Sequence, residues 1–133
     1  MKADLSKYSE FVKGVTSTIS NDNTTFVQRV LELNGKFNVP LMITAYTGLC
    51  GESGELSEIF KKVIFHGKDF TYEEKAHAAK ELGDIIWYWA NACRALDLDP
   101  NQVIADNVGK LVSRYPGGVF SVEASANRKD GDI

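Results

Sequence analysis

Apolar residues recur at helical spacing along most of this chain. Leu5, Tyr8, Phe11, Val12 and Val15 fall three and four apart, one stripe of a helix predicted over residues 5–19. The polar run Asn21-Asp22-Asn23 breaks it. Phe26, Val27, Val30, Leu31 and Leu33 then mark the apolar side of a second helix over residues 24–36. Pro40 opens a third, which runs to about Phe65 and stops at His66-Gly67, since glycine suits the left-handed residue after a helix. The fourth starts at Thr71-Tyr72-Glu73-Glu74, a capping box in which threonine and glutamate side chains satisfy each other's backbone amides, and continues to about Leu96. Asp99-Pro100 starts the fifth, with aspartate as cap and proline at the first helical position. It ends near Tyr115-Pro116-Gly117-Gly118. The tail from about residue 117 reads as polar and irregular. No strand-like alternation persists anywhere. The prediction is an all-α chain of about five helices, forming one domain over residues 1–133.

Composition narrows the function classes. The chain has 133 residues, 44% of them hydrophobic and 25% charged, the mix of an ordinary globular domain rather than a disordered or fibrous one. Fifteen basic against 18 acidic residues leave a net charge of −3, a poor match to a general nucleic-acid binder. The longest apolar run, Ile85-Ile86-Trp87-Tyr88-Trp89-Ala90, is too short to cross a bilayer. Met1-Lys2-Ala3-Asp4 is not followed by the charged-then-apolar pattern of a signal peptide, so none is expected. Two cysteines, Cys50 and Cys93, exclude a disulfide scaffold and read as small buried apolar residues. A cytoplasmic protein with no nucleic-acid or membrane partner is expected.

The placement of the acids is more informative than their number. Glu52 and Glu55 are three apart in the third predicted helix; Glu81 and Asp84 are three apart in the fourth. Residues at that spacing share a helix face, so each pair sends two carboxylates to one side. Both pairs lie within apolar helices, and the faces that bear them are expected to pack together. Tyr88 and Asn91 extend the second polar stripe, and Glu58, Lys61 and Lys62 extend the first. Any one such pair is more often a solvated helix face. Gly51, Gly54 and Gly83 beside the acids argue for something more, either close helix approach or room for a ligand, because glycine inside a helix costs up to about 1 kcal/mol against alanine. Two like charges about 4 Å apart repel by roughly 4 kcal/mol at an effective dielectric near 20. Protonation or a cation must offset this. Carboxylate ligation favours Mg²⁺ or Mn²⁺ over zinc. Four charges match two divalent ions, an arrangement suited to phosphoryl chemistry.

These strings resemble the MazG-type nucleoside triphosphate pyrophosphohydrolases, an all-α group related to the dimeric dUTPases. Gly51-Glu52-Ser53-Gly54-Glu55-Leu56 is followed, with 25 residues between Glu55 and Glu81, by Glu81-Leu82-Gly83-Asp84-Ile85-Ile86-Trp87-Tyr88. Asn107-Val108-Gly109-Lys110-Leu111-Val112-Ser113-Arg114-Tyr115-Pro116 is similar to a third family segment. Ser121-Val122-Glu123-Ala124-Ser125-Ala126-Asn127-Arg128 resembles the tail of virus-encoded members. One departure is Gly51, where many members carry a further glutamate. The resemblance implies a four-helix-bundle-like fold and Mg²⁺-dependent cleavage of a nucleoside triphosphate into monophosphate and pyrophosphate, for control of nucleotide pools. Glu52, Glu55, Glu81 and Asp84 would bind metal, with Mn²⁺ substituting. Glu52 or Glu55 would polarise the attacking water. Lys62, Tyr88, Asn91, Asn107, Lys110, Arg114 and Arg128 would contact phosphate or substrate. A deoxynucleotide, dGTP or dCTP first, is the expected substrate. A homodimer or homotetramer is expected, with the first two helices serving assembly.

Other features point elsewhere less strongly. Glu74-x-x-His77 has the spacing of a di-iron carboxylate motif, but such bundles need it on two helices and His66 has no glutamate three residues earlier. His77 falls on the Glu81 and Asp84 face, although a surface histidine is the plainer reading. Trp87 and Trp89 could stack on a base, although tryptophan in a helical core is the commoner case and Trp89 especially reads as structural. Lys61, Lys62 and Lys68 read as a solvated basic cluster, and Gly35-Lys36 is no Walker loop. The rival from another class is a non-catalytic helical interaction module that carries its acids for solubility.

Overall fold

The computed structural model describes residues 5–127, and all regular structure among them is α-helical. The chain divides into two compact units, Met1–Val39 and Pro40–Ile133.

The first unit carries α1 (Ser6–Val15), α2 (Thr18–Asn21) and α3 (Asn23–Glu32). The single helix predicted over residues 5–19 is in fact two. Thr16 and Ser17 are both extended, with ψ of 135° and 149°. The cause is hydroxyl chemistry at the break. The Thr16 Oγ1 donates to the Val12 carbonyl at 2.7 Å, and the Ser17 side chain accepts from the Ser20 amide to cap a new helix. Asp22 caps α3 by accepting from the Thr25 amide at 2.7 Å. That helix stops at Glu32, short of the predicted Lys36, in a turn where Gly35 has φ +79°.

The second unit is built on two long helices, α4 (Val39–His66) and α5 (Tyr72–Ala95), followed by α6 (Pro100–Arg114) and α7 (Val122–Ala126). Gly67 at φ +69° ends α4. The link to α5 is held at several points. Phe60 stacks on Phe70 with ring centroids 5.9 Å apart. The capping box forms: Thr71 Oγ1 accepts from the Glu73 amide, and the Glu74 carboxylate accepts from both the Thr71 amide and its hydroxyl. Lys68 pairs with the same carboxylate. The Lys68 ammonium, then the Thr71 hydroxyl, hold the Glu74 carboxyl down at about 2.

Farther along the hairpin, Gly48 of α4 meets the ring of Tyr88 on α5, and a β-carbon built on Gly48 would fall inside that ring. Close helix approach is thus explained by Gly48. It is not explained by Gly51, Gly54 or Gly83, each of which has open space where a β-carbon would point. The α5–α6 corner closes through Leu98 N–H donating to the Cys93 carbonyl at 2.9 Å, and Asp99 caps α6 through the Asn101 amide. The tail is less irregular than predicted: Ser121 accepts from the Ala124 amide and starts α7. Buried apolar residues of this unit are mostly small, namely Ala45, Ile59, Ala78, Cys93 and Ala95. Cys50, expected inside, is exposed on α4. Among the described residues, no helix is long and apolar enough to cross a membrane.

Two measurements test this packing. Gly48→Ala should destabilise by about 1–3 kcal/mol in urea unfolding, as overpacking does, and most of that cost should vanish in a Tyr88→Ala background. Glu74 ionises more readily folded than unfolded. Its contribution is therefore complete above pH 4.5 and lost as pH falls toward about 2. Glu74→Gln should flatten that acid limb of Tm against pH, and Thr71→Ala should cost about 1 kcal/mol at neutral pH.

Candidate metal centre

Two helical turns of α4 and two of α5 supply the acids. Glu52 and Glu55 lie on one face of α4, Glu81 and Asp84 on one face of α5, and the glycine-to-ring contact at Gly48 and Tyr88 lets the two helices approach. Glu81 occupies the centre. It is only 6% exposed, and it belongs to two convergent groups. One is Glu52, Glu81 and Asp84; the other is Glu55, His77 and Glu81. In each, one candidate ligand atom per residue lies within 4.8 Å of the others.

Such a gathering of carboxylates cannot all stay ionised without help. The Glu52 carboxyl is raised above its ordinary range, first by a hydrogen bond with the Glu81 carboxyl, then by desolvation and by the charges of Glu55, Glu81 and Asp84. A hydrogen bond between two carboxyls requires a proton on one of them. A divalent cation would do the proton's work with more charge. The donors are hard oxygens with one imidazole at the margin, a set that fits such an ion.

His77 stands one turn before Glu81 on α5, with its Nε2 2.9 Å from Glu81 Oε1. It also lines a cleft of about 280 Å³, together with Glu55, Glu58, Ile59, Lys62, Lys68 and Glu74. The basic residues here are exposed, as expected, and paired with acids. Lys61 pairs with Glu58, Lys62 Nζ lies 3.5 Å from the same carboxylate, and Lys68 pairs with Glu74. The Glu58 carboxyl is lowered, chiefly by Lys61.

The remaining predicted contacts are not members of these two groups. Tyr88 is half-buried, with its ring against Gly48 and edge-on to Trp87 at 4.7 Å. Asn91 is buried, and both ends of its amide are engaged: Nδ2 donates to the Trp87 carbonyl at 3.1 Å and Oδ1 accepts from Arg94 at 2.9 Å. Trp87 is exposed and Trp89 half-buried. Asn107 and Lys110 are exposed on α6, and Arg114 is half-buried in its last turn. Arg128 lies outside the described residues. Sequence reasoning passed over Gly48 and set His77 aside as surface. The available signal for His77 was its place four residues before Glu81.

The profile of the MazG nucleotide pyrophosphohydrolase domain matches residues 42–119, a span that contains all four acids. A curated relative, the Gene 37 protein of Mycobacterium phage L5, is 39% identical over 75 residues, which are 55% of this chain. The matched part covers 65% of that relative's length. No solved structure gives a significant match. With its paired acids on adjacent helices and the domain profile matched over more than half its length, the chain belongs to the MazG nucleotide pyrophosphohydrolase family.

Proposed function

We propose that this protein hydrolyses nucleoside triphosphates to monophosphate and pyrophosphate with Mg²⁺, acting first on deoxynucleotides such as dGTP or dCTP in nucleotide-pool control. The observation that carries this reading is the buried Glu81 carboxylate, shared by two acid groups inside the matched family segment. Glu52, Glu55, Glu81 and Asp84 hold the metal, and Mn²⁺ substitutes for Mg²⁺. Bound there, the ion neutralises polyphosphate charge and acidifies water.

The chain's own groups do the rest. Glu52 or Glu55 accepts a proton from the attacking water. The water oxygen bonds to the α-phosphorus, and the α–β bridging P–O bond breaks to release pyrophosphate. Lys62, on the cleft beside Glu55, offers a cation to the departing phosphates. Lys110 and Arg114, four apart on α6, share a face and can grip the polyphosphate together. Tyr88, Asn91, Asn107 and Arg128 complete the proposed substrate contacts. Assembly as a homodimer or homotetramer is supported by large apolar side chains left exposed, among them Ile64 and Phe65 on α4 and Leu82 and Ile86 on α5. A cytoplasmic setting without nucleic-acid partners suits the acidic chain.

Millimolar Mg²⁺ should raise Tm, because an ion that binds only the folded state stabilises it. An intact fold with no shift would favour a non-catalytic helical module instead. Glu55→Gln and Asp84→Asn should each abolish release of pyrophosphate while the helical circular-dichroism signal stays; near-normal turnover in both would refute their roles. Lys110→Ala should raise KM for the triphosphate while kcat changes little.

A further inference from the structure

Glu81 is the one acid common to both groups, and its side chain is only 8% exposed. A glutamate's last torsion joins tetrahedral to planar carbon and has a broad, shallow preference. Burial alone therefore does not decide which way the carboxylate plane turns. A hydrogen bond to one oxygen does. His77 supplies that bond: its Nε2 lies 2.9 Å from Oε1, within donor range, and its position one turn earlier on α5 puts it on the same face. With Nε2 protonated, the imidazole donates to Oε1 and leaves the second oxygen for Glu52 and Asp84 or for an ion. The imidazole also lines the cleft, with more than half of its side chain exposed. Loss of the ring would therefore leave no buried void.

We propose that His77 is a positioning residue for the metal centre, which orients the shared Glu81 carboxylate through its Nε2–H. This rests on the proposed function, in that Glu81 is a ligand. Partners that orient metal ligands are worth about 10–100-fold in metal affinity when removed. Direct ligation by His77 is the competing arrangement, and it makes a different prediction. An amide can replace a hydrogen-bond donor but is a poor substitute for an imidazole nitrogen ligand.

The test is calorimetric and thermal-shift titration of the full chain with Mg²⁺ and with Mn²⁺, on wild type, His77→Ala and His77→Gln. The expected result is that His77→Ala weakens both ions by about 10–100-fold, with helical signal unchanged, and that His77→Gln recovers most of the loss. His77→Ala binding as tightly as wild type would overturn the proposal, as would His77→Gln failing to recover. A failure to recover together with a larger loss for Mn²⁺ than for Mg²⁺ would assign the imidazole as a ligand. A wild-type chain that takes neither ion would bring down the proposed function, and this positioning role with it. If His77→Ala fails to fold, His77→Gln against His77→Leu gives the same comparison of donor with no donor.

Discussion

A carboxylate withdrawn from water among three others is held only if something carries the opposite charge. Glu81 is in that position, with Glu52 and Asp84 on one side and Glu55 and His77 on the other. The crowding shows at Glu52, whose carboxyl is raised above its ordinary range, first by its hydrogen bond with Glu81. A proton or a bound cation would offset the same negative charge. The acids are brought together because two helices are locked at a contact where one of them has no side chain. Gly48 and Tyr88 set the distance between helices; the spacing of three residues within each helix sets the direction of the carboxylates.

Helical periodicity made α4, α5 and α6 legible in the sequence, and their caps made the ends of the last two legible as well. Thr71, Glu74, Asp99 and Pro100 act through bonds within a few residues, so nothing distant can override them. The break at Thr16 and Ser17 was hidden because the apolar stripe continues across it while two hydroxyls quietly rebond the backbone. The start of α7 at Ser121 has a similar origin, a single cap in a segment too short to show a period.

The acid doublets were legible as doublets, since their spacing is a property of one helix. What the sequence could not yield was which glycine faces the neighbouring helix. Four glycines lie within the two doublet regions, and only three-dimensional register separates Gly48, which is filled by a ring, from Gly51, Gly54 and Gly83, which face open space. The same holds for His77. Its face was readable, but its 2.9 Å contact depends on the rotamer and on Glu81 being buried. Cys50 was placed inside on residue type alone, and the helix turned it outward.

Every acid of the centre comes from one helical hairpin, residues 52–84, closed by the short Phe60–Phe70 link. Contacts that are local in sequence form early in folding, since little loop entropy opposes them. All four acids thus precede α6, with its lysine and arginine, along the chain, and the hairpin that gathers them can close without that helix.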